Sequence, residues 1–156
     1  MRFSFSKTSG PQAATLRVTT EQQEEVTMAG GRPGFHTVTP YLIHPDVTGL
    51  VAYIERAFGG EETFRSRGSA GGTHVELRVG DSMLMVGGKA DSTPLPAMLY
   101  LYVDDVDARY AQALATGGTS LMEPAELGDG DRRAGVEDPF GNQWWIGTHL
   151  GTASSG

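Results

Sequence analysis

From Thr37 onward, short β-branched runs alternate with one amphipathic stretch, and that order then repeats. Thr37–Ile43 alternates and is β-branched, so it reads as a strand, and Pro40 places one side of it at an edge because proline offers no N–H to a ladder. Leu50, Val51, Ile54, Ala57 and Phe58 recur at helical spacing and predict a helix over Val47–Phe58, with Asp46 as N-cap and Gly59-Gly60 as C-cap. Strands are expected over Glu61–Ser66, Thr73–Val79 and Ser82–Val86, the last two joined at Gly80-Asp81. Lys89–Pro96, with two prolines, reads as a linker. Beyond it come a strand Ala97–Val103, a helix Val106–Thr116 capped by Asp104 or Asp105, and the closing pair Gly117-Gly118. Strands Thr119–Glu123, Arg132–Glu137 and Asn142–Thr148 complete the series. Between the last two, Asp138-Pro139-Phe140-Gly141 is a tight turn, in which Pro fixes φ and Gly takes the conformation that a side chain resists.

Asp46 matches Asp104, and Gly59-Gly60 matches Gly117-Gly118, at one offset of 58 residues, while Gly80-Asp81 falls opposite Asp138-Pro139. Internal duplication of a βαβββ unit accounts for cap, helix, glycine pair and turn together. One unit alone would leave a sheet face bare, so the two are expected to pair. The expected fold class is α+β: two βαβββ modules forming a curved mixed sheet with helices on the convex side. The domain spans 35–150, with module 1 at about 35–88 and module 2 at about 97–150. Residues 1–34 lack apolar periodicity and read as a weakly structured extension, with a helical turn over Glu21–Met28, and 151–156 read as a flexible tail.

Strand alternation sorts the two faces. Val75, Leu77, Val79, Leu84, Val86, Leu99, Leu101, Val103, Trp144 and Ile146 should pack under the helices. The concave face then carries Thr37, Thr39, Tyr41, His74, Glu76, Arg78, Met83, Met85, Met98, Tyr100, Tyr102, Gln143 and Trp145. The adjacent tryptophans cannot serve one core, and Trp145 is the one left for the cavity. An aromatic, Met-rich surface with a few polar groups is the composition of a small-molecule pocket, or of a dimer seam or a closed core. Gly128–Arg133 is a candidate lid over it by composition.

A chain of 156 residues can bury one core without staples, and with no cysteine it has neither disulfides nor thiolate chemistry. The net charge of -7, with no basic cluster, excludes a nucleic-acid footprint. No apolar run reaches membrane-spanning length, so no membrane partner is expected and a cytoplasmic location is.

The duplicated βαβββ order resembles the vicinal oxygen chelate superfamily, which includes glyoxalase I, bleomycin-resistance proteins, extradiol dioxygenases and fosfomycin-resistance enzymes. The resemblance runs over roughly Phe35 to Leu150 and is carried by Thr39-Pro40-Tyr41-Leu42, Ala57-Phe58-Gly59-Gly60, Thr73-His74-Val75-Glu76-Leu77 and Val136 to Trp144. Together these pieces look most like the glyoxalase-like branch related to the demethylubiquinone-methyltransferase-like group. Metal enzymes of the superfamily place four His, Glu or Gln ligands on the concave sheet. Carried onto this chain those positions fall on Thr39, Met85, Met98 and Trp145, which are poor ligands for a divalent cation. The resemblance therefore implies a small-molecule-binding protein with no metal at the usual position and no cofactor, its ligand held by Thr39, Tyr41, Arg78, Met85, Met98, Tyr100, Tyr102 and Trp145. It also implies a homodimer. The alternative is an enzyme of the same superfamily (lyase, isomerase or dioxygenase) that uses a divalent metal or His74 and Glu76. Those two stand at i and i+2 on one strand, where a His beside a carboxylate can act as an acid–base pair or simply form a polar strand face.

Overall fold

A computed structural model describes residues 30–151 of the chain. The turn expected over Glu21–Met28 and residues 152–156 lie outside the described residues. The element order is β1 (Tyr41–Ile43), α1 (Val47–Phe58), β2 (Glu61–Arg67), β3 (Thr73–Val79), β4 (Ser82–Gly88), β5 (Met98–Tyr102), α2 (Val106–Ala115), β6 (Thr119–Glu126), β7 (Asp131–Glu137) and β8 (Gln143–His149). This is βαβββ twice, an α+β fold, and each module forms its own four-stranded mixed sheet, ordered β1-β4-β3-β2 and β5-β8-β7-β6. The first strand of each module runs parallel to its last, and the other pairs are antiparallel. Among the described residues no helix is long and apolar enough to cross a membrane.

The caps form for the expected reasons. Asp46 accepts from the Gly49 N–H at 2.8 Å, and Asp105, not Asp104, accepts from the Ala108 N–H at 3.0 Å. The caps therefore stand 59 residues apart while the glycine pairs stand 58 apart, because α2 is the shorter helix. Gly59 ends α1 at φ 68°, a conformation open to glycine, with its N–H on the Glu55 carbonyl.

The apolar faces of both sheets and both helices enter one core that holds Leu50, Ile54, Leu77, Val86, Val136, Trp144 and Ile146 at zero exposure. Leu99, Leu101 and Val103 pack against it half-buried, since β5 is an edge strand. The modules meet through their helices. Tyr53 donates to the Ala113 carbonyl at 3.3 Å, Gln112 to that of Arg56 and Arg109 to that of Ala57, while the Phe58 and Trp144 rings lie 4.5 Å apart. Burial, reinforced by the charge of Asp138, pushes the Tyr53 hydroxyl far above its usual range, so it stays a donor.

Two local expectations need correction. The first strand does not run from Thr37: it starts at Tyr41, where the Pro40 carbonyl accepts from the Met85 N–H. Pro40 has no N–H to carry the ladder back, and Thr39 instead donates to the His36 carbonyl at 3.2 Å, bending the segment. Thr37 and Thr39 are thus off the sheet, and Val38 between them is 83% exposed. The lid also shrinks. Asp131, Arg132 and Arg133 belong to β7, and the remaining loop is tied down by an Asp129–Arg133 ion pair and by the Leu150 N–H on the Gly130 carbonyl at 2.8 Å.

Candidate functional site

The sheet faces turned away from the helices hold the functional side chains. In module 1, Tyr41, Met85, Glu76 and Phe64 are register partners across four strands, so their side chains share this face. In module 2 the corresponding row is Tyr100, Trp145, Gly135 and Met122. Glycines decide how the aromatics lie. A Cβ on Gly87 would collide with the Tyr41 hydroxyl, and one on Gly147 with the Tyr100 hydroxyl. A Cβ on Gly135 would stand 3.1 Å from the six-membered ring of Trp145. Three rings thus lie down on bare backbone, where a longer side chain would prop them up.

Each half has its own polar set. In module 1, Tyr41 stacks on His74 with centroids 5.7 Å apart, and its hydroxyl lies 3.2 Å from His74 Nδ1. The other ring nitrogen of His74 lies 3.3 Å from Glu76 Oε1, the carboxylate that also pairs with Arg32. Burial, and then the Arg32 charge, lower the His74 pKa, so near neutrality it is an uncharged imidazole between a hydroxyl and a carboxylate. In module 2, the Tyr100 and Tyr102 hydroxyls both donate to Asp131 Oδ2, at 3.4 and 3.2 Å, while His149 Nδ1 lies 2.7 Å from Oδ1. Those hydrogen bonds, that from His149 foremost, hold the Asp131 carboxyl below its usual range, and burial raises the Tyr100 hydroxyl. Among the described residues, Trp145 Nε1 and Arg133 Nε are buried with no acceptor. Both are donors only, and leaving such a group unpaired is costly.

The expected site residues therefore divide. Tyr41, His74, Glu76 and Met85 come together in module 1, and Tyr100, Tyr102 and Trp145 in module 2. Arg78 shares the module 1 face but is exposed, and Met98 is 69% exposed. The hydrogen bonds and ring contacts given above for each set stay inside it. A groove of about 740 Å³ runs along the free edge of β5, where Tyr100 and Tyr102 lie opposite Pro40 and Met83. Arg32, Phe64 and His149 are not among the expected site residues, and Asp131 and Arg133 are expected only within the lid over the pocket. Carrying the alternation of β7 and β8 to their ends reaches Asp131, Arg133 and His149, whereas nothing in the sequence marks Arg32.

The metal positions that the resemblance implies hold a hydroxyl, two thioethers and an indole, and Thr39 has left the strand. This donor set does not fit a divalent cation. Among the described residues no group of three or more His, Asp or Glu gathers to hold one elsewhere.

The family model described as Glyoxalase/Bleomycin resistance protein/Dioxygenase superfamily matches residues 34–146. The chain belongs to this superfamily. Rv0887c of Mycobacterium tuberculosis, an uncharacterized protein, is 32% identical over 124 residues, covering 70% of this chain and 72% of that protein. Two solved structures share the fold. TioX from Micromonospora sp. ML1 has a TM-score of 0.62 at 22% identity, covering 72% of this superfamily member and 98% of TioX. A bleomycin-binding protein, solved with bleomycin, has a TM-score of 0.55 at 23% identity over 73% and 98% of the two chains.

Proposed function

We propose that the chain is a metal-free small-molecule-binding protein of the bleomycin-resistance type, and that flat aromatic ligands stack on its outer sheet faces. The observation that carries this reading is the bedding of Tyr41, Tyr100 and Trp145 on Gly87, Gly147 and Gly135. Rings laid flat on a sheet expose a π-face to a planar guest, and such stacking accepts many ring systems. The structural relative solved with bleomycin fits the same picture. A second copy of the chain completes the site, since each polar set sits on its own half-sheet. Titration with acridine should give saturable quenching of tryptophan fluorescence. Trp144 is fully buried, so the quenched signal belongs to Trp145 and disappears in Trp145→Phe. Absence of quenching in the wild-type chain defeats the reading.

A catalytic alternative draws on the neutral His74 held between Tyr41 and Glu76. His74→Ala leaves acridine binding intact if the protein only binds. Loss of a measurable turnover, or a stoichiometric metal content in the purified protein, favours the enzyme.

A further inference from the structure

Glu76 is 5% exposed and lies on the outer face of the first sheet. A buried carboxylate needs a counter-charge or it is strongly destabilising. His74 does not supply that charge, because burial and Arg32 disfavour its protonation. The counter-charge is Arg32, which stands before β1 and is not part of either sheet. Its side chain is 58% exposed, yet the guanidinium reaches Glu76 and lies 5.8 Å from the centre of the Phe64 ring. His74, stacked on Tyr41 and 6.5 Å from Phe64, closes the remaining side. A carboxylate at the base of aromatic walls is the chemistry that recognises an organic cation. Here that place beside the carboxylate is taken by a guanidinium brought in from outside the sheet.

We propose that Glu76, Phe64, Tyr41 and His74 form a subsite for an amidinium or alkylammonium group of the ligand, and that Arg32 occupies it until that group displaces it. This rests on the outer sheet face being a small-molecule surface, and it adds the charge class of the guest. The Arg32 charge is already spent on Glu76, which argues against an anion at the same place. A tethered competitor acts at a local concentration on the order of millimolar, so an added cation must bind against it.

The test uses the full chain, wild type and Arg32→Ala, titrated with benzamidine, benzamide and benzoate while the ring signals of His74 are followed by NMR. Benzamidine should bind Arg32→Ala about tenfold more tightly than wild type, as expected when a tethered competitor is removed. The neutral amide and the anion should bind neither. The His74 pKa should rise in Arg32→Ala, because the charge opposing protonation is gone, and saturating benzamidine should lower it again. Glu76→Gln combined with Arg32→Ala should abolish benzamidine binding. If that double variant does not fold, the benzamidine–benzamide difference in Arg32→Ala alone decides. Equal binding of the three probes, or benzamidine binding indifferent to Arg32, overturns the proposal. Acridine quenching at Trp145 is measured separately on the other module, so failure of the general reading is seen independently of failure here.

Discussion

Asp138 shows how one side chain can hold a turn, a tryptophan and a strand together. It is 3% exposed, and its Oδ1 accepts from the N–H groups of Phe140 and Asn142, each at 2.9 Å. Oδ2 accepts from the Asn142 amide at 2.9 Å and from the Trp144 indole at 2.8 Å. Asn142 in turn accepts from the Ala97 N–H at 3.0 Å, which fixes the entry to β5. Asp138→Ala strips four donors of their acceptor inside the core. It should cost about 3 kcal/mol or more, seen as a lower urea midpoint, whereas an unchanged midpoint would mean that water replaces the carboxylate. The turn itself was legible, because Asp, Pro and Gly each have a stated place in it, and Gly141 does adopt φ 90°. The four-fold acceptor role was not, since local spacing says nothing of where the indole of Trp144 points. Arg32 is the sharper case. It sits in a stretch with no periodicity, and only the folded chain brings it to a carboxylate 44 residues away.

At the level of elements, the pattern read best where one local rule acted alone. The helix over Val47–Phe58 and the strand over Thr73–Val79 run between the expected residues. The first has a cap, an apolar stripe and a glycine stop, and the second a strict alternation. The first strand failed because two rules competed, and the missing proline N–H outweighed β-branched propensity. Strand β6 extends beyond the expected Glu123 to Glu126, with register shifts that keep it paired to β7 past Pro124. The twin caps make the duplication testable. Asp46→Ala and Asp105→Ala should each lose about 1 kcal/mol by chemical denaturation, because each removes one side-chain acceptor from a helix start. A loss confined to Asp46→Ala would show that the α2 start is satisfied in some other way.

For the whole molecule the open question of physics is the outer faces and the free edge of β5. Tyr41, Phe64, Met98, Tyr100 and Tyr102 are between 41 and 69% exposed, all on the faces turned from the core. The other three edges are protected: Leu95 covers part of β1 through its bond to Ile43, β2 is studded with Glu61, Glu62, Arg65 and Arg67, and β6 carries Glu123, Pro124 and Glu126. β5, by contrast, reads Met98-Leu99-Tyr100-Leu101-Tyr102, with no charge or proline to discourage pairing. An apolar strand left open in this way is a template for another chain, and the proposed function assigns it to a second copy, which would bring one polar set toward the other. Gel filtration should therefore give about twice the 16.6 kDa of one chain. Tyr102→Lys, a change at a 69% exposed position, should leave the monomer folded and shift the equilibrium toward it. Acridine affinity should then fall and become dependent on protein concentration, because binding and association draw on the same interface. A chain that runs as a monomer and still binds acridine at full strength would show that one half-sheet suffices, and the partner would have no part in the site.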